Sequence, residues 1–405
     1  MARFIIISFI LGGVPSEPRV VMLRTRPFHP EPRGFKEAKT LVKAGYNVHV
    51  IAWDRLCELP KNETLNNISI RRVHLPAGYN IFLRFAVMLP IFWVFSFFSI
   101  LRKRPDIIHC ADLDTLPVGV FAKKILMCGL VYDVYENYPG MVRGSVPPLI
   151  VRCLAWLDKT LSRAADLILI VWDSFQARYP RSVLVPNVPE GEGFERVTPA
   201  RRADVRKKYD LDEKFVIGYI GVFMKGRGIE QVIEAVKGMD DVIFLIGGFG
   251  QEEKTIHDLA EGVKESRLIG FVPPENVPEI LSACDAIVEI IDPKNENYSM
   301  AMGNKVFEAM NAGLPVIVSR GTVGEKFVRD VGCGVAVEYG NIEELRGVIR
   351  RFVSCREDAR SLGERGRSAA RERWRWEVIE NGLLERYNEL KERIKMCRES
   401  RQAPS

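Results

Sequence analysis

The sequence predicts an α/β protein built as two tandem, doubly wound, Rossmann-like units, and three observations carry that prediction. Short apolar runs rich in β-branched residues alternate with amphipathic stretches along the whole chain, the pattern of parallel sheets covered by helices. At 405 residues the chain exceeds what one core usually organises, so two units of roughly 200 residues are expected. Finally, the alternation runs twice, on either side of Pro186 to Pro199, a stretch with three prolines, two glycines and several acids that reads as a linker.

Strands are expected in the first half at Arg19–Leu23, Val48–Ala52, Ser69–Val73, Ile107–His109, Leu130–Asp133, Leu167–Val171 and Val183–Val185. A helix over Gly34–Ala44, closed by Gly45, joins the first two. The second half repeats the scheme at Val216–Ile220, Val242–Ile246, Arg267–Ile269, Ala286–Ile290, Pro315–Val318 and Gly334–Val337. The expected organisation is residues 1–190, residues 191–375, and a terminal helix and tail over 376–405. Trp376 reads as a packing residue. Met1–Leu11 carries Arg3 and a short apolar run but no convincing small-residue cleavage site, so a strand or an extension is favoured over a signal peptide.

The net charge of +6 comes from 58 basic and 52 acidic residues spread through the chain. That distribution suits anionic small molecules or an acidic membrane surface and argues against a dedicated nucleic-acid groove. The eight cysteines show no Cys-x-x-Cys pair and read as reduced, mostly core residues. The five histidines, His29, His49, His74, His109 and His257, form no zinc-binding spacing, so no metal is expected.

Residues 81–101 are strongly apolar, with no charge from Phe85 to Leu101, and Arg102, Lys103 and Arg104 follow. Length alone permits a membrane span. A span is excluded because the next strand must return to the same parallel sheet. Two readings remain, a helix buried in the first unit or a monotopic helix with its basic end on anionic headgroups. The crowding of Phe92, Trp93, Phe95, Phe97 and Phe98 around the helix favours membrane contact.

The most informative stretch is Gly303–Ser319, Gly-Asn-Lys-Val-Phe-Glu-Ala-Met-Asn-Ala-Gly-Leu-Pro-Val-Ile-Val-Ser. It places Lys305 and free backbone amides at a helix start, where phosphate is favoured, and Glu308 a turn later, where a carboxylate suits vicinal ribose hydroxyls. Gly313 then caps the helix and a buried strand follows. Read from spacing alone, an ordinary helix-to-strand turn competes with a nucleotide-sugar site.

This stretch resembles the donor-site signature of the retaining glycosyltransferases of family four, whose fold is GT-B. Glu308 falls on the second Glu of that signature, and Asn304, Lys305, Phe307 and Glu308 match a variant Pro-Asn-Lys-x-Phe-Glu, with Gly303 in the Pro place. The first Glu, a sugar contact in the family, is replaced by Met300. Arg33–Arg55, His109–Leu116, Tyr132–Glu136 and Val185–Pro189 resemble further family segments in the same order, with Tyr135 where His is usual.

The resemblance implies two Rossmann-like domains with a cleft between them and transfer of a hexosyl group, with retention, from a nucleotide diphosphate sugar to a hydroxyl of a lipid-linked or glycan acceptor. Lys305 and Arg227 would stabilise the departing diphosphate, with Lys225 as a weaker cation and Val222 in the place of the family's Arg. Gly303, Asn304, Glu308, Gly248, Gly250, Gly270, Phe271 and Val272 would complete the donor side. Gly247–Gly250 fails the dinucleotide fingerprint, because Glu253 occupies its third glycine position.

On the acceptor side the resemblance points to Arg33, His109, Asp114, Tyr135 and Glu136, with Asp112 either receiving the acceptor proton or simply capping the next helix. No cofactor is implied. Expected partners are the donor, the acceptor and an anionic membrane surface, with the protein peripheral on the cytoplasmic face. A non-catalytic sugar-nucleotide-binding subunit, or a GT-B epimerase or phosphorylase, are the alternatives.

Overall fold

The computed structural model describes residues 17–28, 32–78, 82–211, 213–295, 300 and 302–402. The strand or extension expected at 1–11, together with His29, Glu31 and Ile81, lies outside the described residues.

The first sheet has eight strands in the order β3-β4-β2-β1-β5-β6-β7-β8. They are β1 Arg19–Arg24, β2 Asn47–Asp54, β3 Asn62–Leu65, β4 Ile68–His74, β5 Ile107–Ala111, β6 Gly129–Val134, β7 Leu167–Ile170 and β8 Val183–Leu184. β1, β5 and β6 are buried almost throughout, as the Val- and Ile-rich runs require of strands covered on both faces. β3 pairs antiparallel with β4 and was not anticipated. Its Asn-Glu-Thr-Leu sequence lacks the apolar signature because it is a short, partly exposed edge strand.

The second sheet has the order β11-β10-β9-β12-β13-β14, from β9 Phe215–Phe223, β10 Val242–Gly250, β11 Ser266–Gly270, β12 Ala286–Glu289, β13 Val316–Ser319 and β14 Gly334–Val337. All its pairings are parallel. β9 and β10 run past their expected ends to Phe223 and Gly250. They stay paired there because the backbones close on one another at Gly221 and Gly248. The two sheets have the architecture of the GT-B fold, two Rossmann-like α/β domains.

Six helices position the features described below: α1 Pro32–Lys43, α2 Phe82–Lys103, α3 Leu116–Leu126, α4 Ile229–Val236, α5 Asn304–Ala312 and α6 Trp376–Gln402. α1 begins and ends within two residues of expectation. α5 ends where Gly313 takes φ 73°, with its N–H donating to Ala309 and Met310 carbonyls, a left-handed cap that glycine adopts without a Cβ penalty.

Two compact units divide the chain, one ending at Leu169 and taking in Leu384 onward, the other Ile170–Leu383. That dividing line comes before the stretch read as a linker. The reason is that residues 170–199 are tied into the second unit. Trp172 packs on Phe307, Phe327 and Trp374, Gly191 N–H donates to the Glu377 carboxylate at 2.9 Å, and Trp376 N–H donates to the Pro189 carbonyl at 2.9 Å. Trp376 itself is buried. α6 starts in the second unit, and from Leu384 on it counts with the first, where Leu390 and Ile394 pack so closely on Gly129 that an added Cβ would lie 2.5 Å from Ile394.

The eight cysteines are free, four of them buried and Cys153, Cys355 and Cys397 exposed, so they are less uniformly core residues than their scatter suggested.

Candidate donor and acceptor sites

In the second sheet the strand order reverses direction between β9 and β12, and ligands of open α/β sheets gather beyond the carboxyl ends of the strands at such a point. Four segments deliver side chains there: the end of β9, the loop into α4, the end of β12 and the start of α5. Lys305, in the first turn of α5, places its ammonium 4.6 Å from the centre of the Tyr219 ring and 2.8 Å from Oε2 of Glu289. Arg227 reaches Oε1 of the same carboxylate at 3.3 Å. Burial works against the Lys305 ammonium, but the Glu289 charge, aided by Tyr219, outweighs it and the pKa is raised.

The predicted cations are therefore held together, and what holds them is a residue the sequence reading passed over. Glu289 interrupts the apolar run Ala-Ile-Val-Glu-Ile-Ile, a signal at hand but without meaning until the topology sets β12 beside β9. Lys225 is exposed and Arg227 half-buried.

The remaining donor-side residues fall into distinct roles. Asn304 accepts a hydrogen bond at 3.0 Å from Asn187, and Glu308 is half-buried one turn into α5. Met300 accepts a hydrogen bond at its carbonyl from Ser174 at 2.5 Å. Gly248 has φ 147°, and a Cβ there would lie 1.8 Å from the Gly221 carbonyl oxygen. Gly248 and Gly250 are thus demanded by the approach of β9, which accounts for them without any ligand. Phe271 follows Gly270 and stands exposed in an edge-to-face pair with Phe249, ring centres 5.3 Å apart, and Val272 is half-buried.

The first sheet reverses between β1 and β5, and the acceptor-side candidates lie at that end. Asp112 follows β5 with φ 64°, a conformation uncommon for a residue with a Cβ. Its carboxylate accepts from Arg24 at 2.8 Å and from the Tyr135 N–H at 3.0 Å, so it does not cap α3, whose N-cap residue is Thr115. Burial pushes the Asp112 carboxyl up to about 7, against the pull of Arg24 and with Asp114 and Glu136 adding to the rise. Asp114 accepts from the Thr25 hydroxyl at 2.5 Å, and burial raises it as well. Tyr135 lies beneath Arg24 at 4.0 Å and Arg33 at 5.0 Å. Glu136 is half-buried.

Arg33 and His109 occupy different ground from the acceptor role given them. Arg33 is fully interior, 2.6 Å from Asp133 and 3.2 Å from Glu37, and His109 is buried with Nδ1 2.5 Å from the Tyr387 hydroxyl and Nε2 3.4 Å from Asp133. Burial works against the Asp133 charge, yet Arg33 and His109 hold it well below the usual carboxylate range. Glu37, His109 and Asp133 bring ligand atoms within 4.8 Å of one another. The Arg33 guanidinium already supplies a cation there, so this constellation is an ion-pair core joining α1, β5, β6 and α6.

α2 shows two faces. Trp53 stacks on Phe85 and Phe92 at 5.3 and 5.6 Å, and Ser96 and Ile100 are buried. The opposite stripe exposes Leu83 (73%), Val87, Ile91, Val94 and Phe98 (64%). α2 is long and apolar enough to cross a membrane by length and composition, but β4 before it and β5 after it lie in one sheet. At its basic end a cavity of about 410 Å³ is lined by His49, Arg71, Ser99, Arg102 and Lys103 among others.

Residues 36–187 match the family described as Glycosyltransferase Family 4, and residues 201–369 match the one described as Glycosyl transferases group 1. The chain is 23% identical over 213 residues to the alpha-D-kanosaminyltransferase of Streptomyces kanamyceticus, covering 49% of this chain and 54% of that one. It is 23% identical over 277 residues to a GDP-mannose-dependent alpha-(1-6)-phosphatidylinositol monomannoside mannosyltransferase of Mycobacterium tuberculosis, covering 65% and 71%. Its match thus spans about half the length of the first relative. The sucrose-phosphate synthase of Thermosynechococcus elongatus superposes with a TM-score of 0.77 at 20% identity, over 92% of this chain and 99% of that one. The two matched stretches fall largely one in each unit, so the first unit is similar to Family 4 and the second to group 1 glycosyltransferases, and the chain shares the two-domain GT-B fold with the synthase.

Proposed function

We propose that this protein is a retaining glycosyltransferase that moves a hexosyl group from a nucleotide diphosphate sugar to a hydroxyl of a lipid-linked acceptor at an anionic membrane surface. The observation that carries the reading is the convergence of Lys305 and Arg227 on the start of α5, at the reversal point of the second sheet. Two cations and free helix-start amides suit a diphosphate, and stabilising its charge is the largest contribution such a site makes. Glu308, a turn further in, suits the ribose hydroxyls.

In the proposed reaction the bond from the sugar's anomeric carbon to the diphosphate oxygen breaks and its electron pair stays on the diphosphate. The acceptor oxygen bonds to that carbon on the face just vacated, and the acceptor proton passes to the departing phosphate oxygen or to Asp112. Asp112→Asn separates the two routes. If Asp112 is the base, turnover falls by 10²-fold or more while donor binding stays unchanged; if phosphate is the base, turnover falls little.

The lipid reading is supported by the exposed stripe of α2 with Arg84, Arg102, Lys103 and Arg104 at its ends, the pattern of an interfacial helix, and by a relative that acts, by its name, on a phosphatidylinositol mannoside. The test is release of nucleoside diphosphate from a panel of donors upon addition of membrane lipid extract. Donor binding without turnover across a broad acceptor panel would instead support a non-catalytic binding subunit.

A further inference from the structure

We propose that Glu289 is a built-in competitor of the donor's diphosphate for Lys305 and Arg227, and so sets how tightly diphosphate is held and how fast the nucleoside diphosphate product leaves. The inference rests on the donor-site reading above and adds to it a residue that neither family resemblance nor sequence pattern assigns.

Glu289 ends β12 and is almost wholly buried. Its two oxygens face different cations, Oε2 toward Lys305 at 2.8 Å and Oε1 toward Arg227 at 3.3 Å. Beside this triad Tyr219 from β9 offers its ring to Lys305, and Gly221 leaves the space beside the Lys305 ammonium, where an added Cβ would stand 3.2 Å away. Glu289 divides its single negative charge between two cations, so each holds it less firmly than it would a partner of its own.

Gly303 shows that the space around Glu289 is reserved. An ideal Cβ at Gly303 would lie 2.2 Å from Glu289 Oε1, so the proline of the related motif would require this carboxylate to shift from its place between the two cations. Glycine at 303 and glutamate at 289 fit each other across two elements. A diphosphate seated on the start of α5 needs the same N–H bonds that Lys305 and Arg227 turn toward Glu289, and brings more negative charge beside it. Binding therefore exchanges one anionic partner for another, and product departure reverses the exchange.

Removing the competitor should tighten anion binding. Titration calorimetry with inorganic pyrophosphate is expected to show Glu289→Gln binding at least ten-fold more tightly than the wild-type protein, with a correspondingly larger thermal stabilisation. In turnover the variant should combine a lower donor KM with a lower kcat, as product release slows. Equal or weaker pyrophosphate binding by a folded Glu289→Gln protein overturns the proposal, since the carboxylate would then organise the cations for the ligand. If Glu289→Gln does not fold, Glu289→Asp, whose carboxylate is withdrawn by one methylene, decides in the same way with a smaller expected gain. Lys305→Ala and Arg227→Ala distinguish the two levels of inference: if both keep full pyrophosphate binding, the donor-site reading itself fails, whatever the Glu289 variants do.

Discussion

Ionising a carboxyl group that is mostly buried, next to two other acids, costs free energy that a single arginine recovers only in part, and Asp112 shows the balance. Its folded value of about 7 stands above the ordinary 3.8. A raised group contributes stability that is fully present below its unfolded value and is lost as pH rises through the folded one. Between about pH 4 and pH 7 the wild-type protein should therefore lose stability relative to Asp112→Asn by at most about 1.4 kcal/mol per pH unit. Urea midpoints of the two proteins across that window check the sign, and parallel curves would sink it. On the second unit, Lys305→Ala and Glu308→Ala should each abolish the thermal shift produced by the preferred nucleotide sugar, and a full shift retained in both would refute the donor-site assignment. Lys305 and Glu308 could be singled out as candidates in the sequence because motif residues on one helix keep their spacing whatever the tertiary structure. Glu289, Asp133 and Tyr387 were not, since each acquires its partner only when strands and helices far apart in the chain are set side by side.

Among elements, parallel strands announce themselves. Each of the thirteen expected strands is present in the structure, and the central ones such as β1, β5 and β6 are the plainest, because a strand covered on both faces is apolar and β-branched along most of its length. The edge strand β3 obeys no such constraint and left no trace. What the periodicity could not reveal is how elements are locked together. The Arg33, Glu37, His109, Asp133 and Tyr387 cluster ties α1, β5, β6 and α6 through charges buried to 2% exposure or less, and breaking a buried pair strands its partner. Asp133→Asn should cost about 3–5 kcal/mol, whereas Tyr387→Phe, which removes only the hydroxyl contact to His109, should cost about 1 kcal/mol. Chemical denaturation of the two variants orders them, and the reverse order would show that the hydroxyl, not the ion pair, secures the helix. A second lock is the close approach of β9 and β10. Gly248→Ala must push the Gly221 carbonyl away from a Cβ built 1.8 Å from it, so a loss of more than about 2 kcal/mol is expected, together with weaker donor binding as the end of β9 shifts.

For the molecule as a whole, the sequence alone favoured membrane contact for α2 over burial in the core. It belongs to the core on one face: Phe92, Ser96 and Ile100 are buried, and Trp53 stacks on Phe85. The other face leaves five large apolar side chains in water, next to a basic end and beside α3, which exposes Phe121 and Ile125. Burying a large apolar side chain contributes about 1.5–3 kcal/mol when complete, so partial insertion of the stripe at about 1 kcal/mol per residue gives a binding energy that two substitutions should visibly erode. In cosedimentation with vesicles containing anionic phospholipid, Leu83→Ser with Phe98→Ser should weaken binding about ten-fold or more, since about 1.4 kcal/mol is a factor of ten. Arg102→Ala with Lys103→Ala should remove about 1 kcal/mol per charge, and that part of the binding should vanish in high salt while the apolar part persists. Wild-type protein that stays in solution with anionic and neutral vesicles alike would exclude the interfacial role of α2. If the serine variants lose the vesicles but retain turnover on a detergent-dispersed acceptor, α2 serves to bring the enzyme to its substrate and not to shape the acceptor site; loss of both would place the acceptor's own lipid against the stripe.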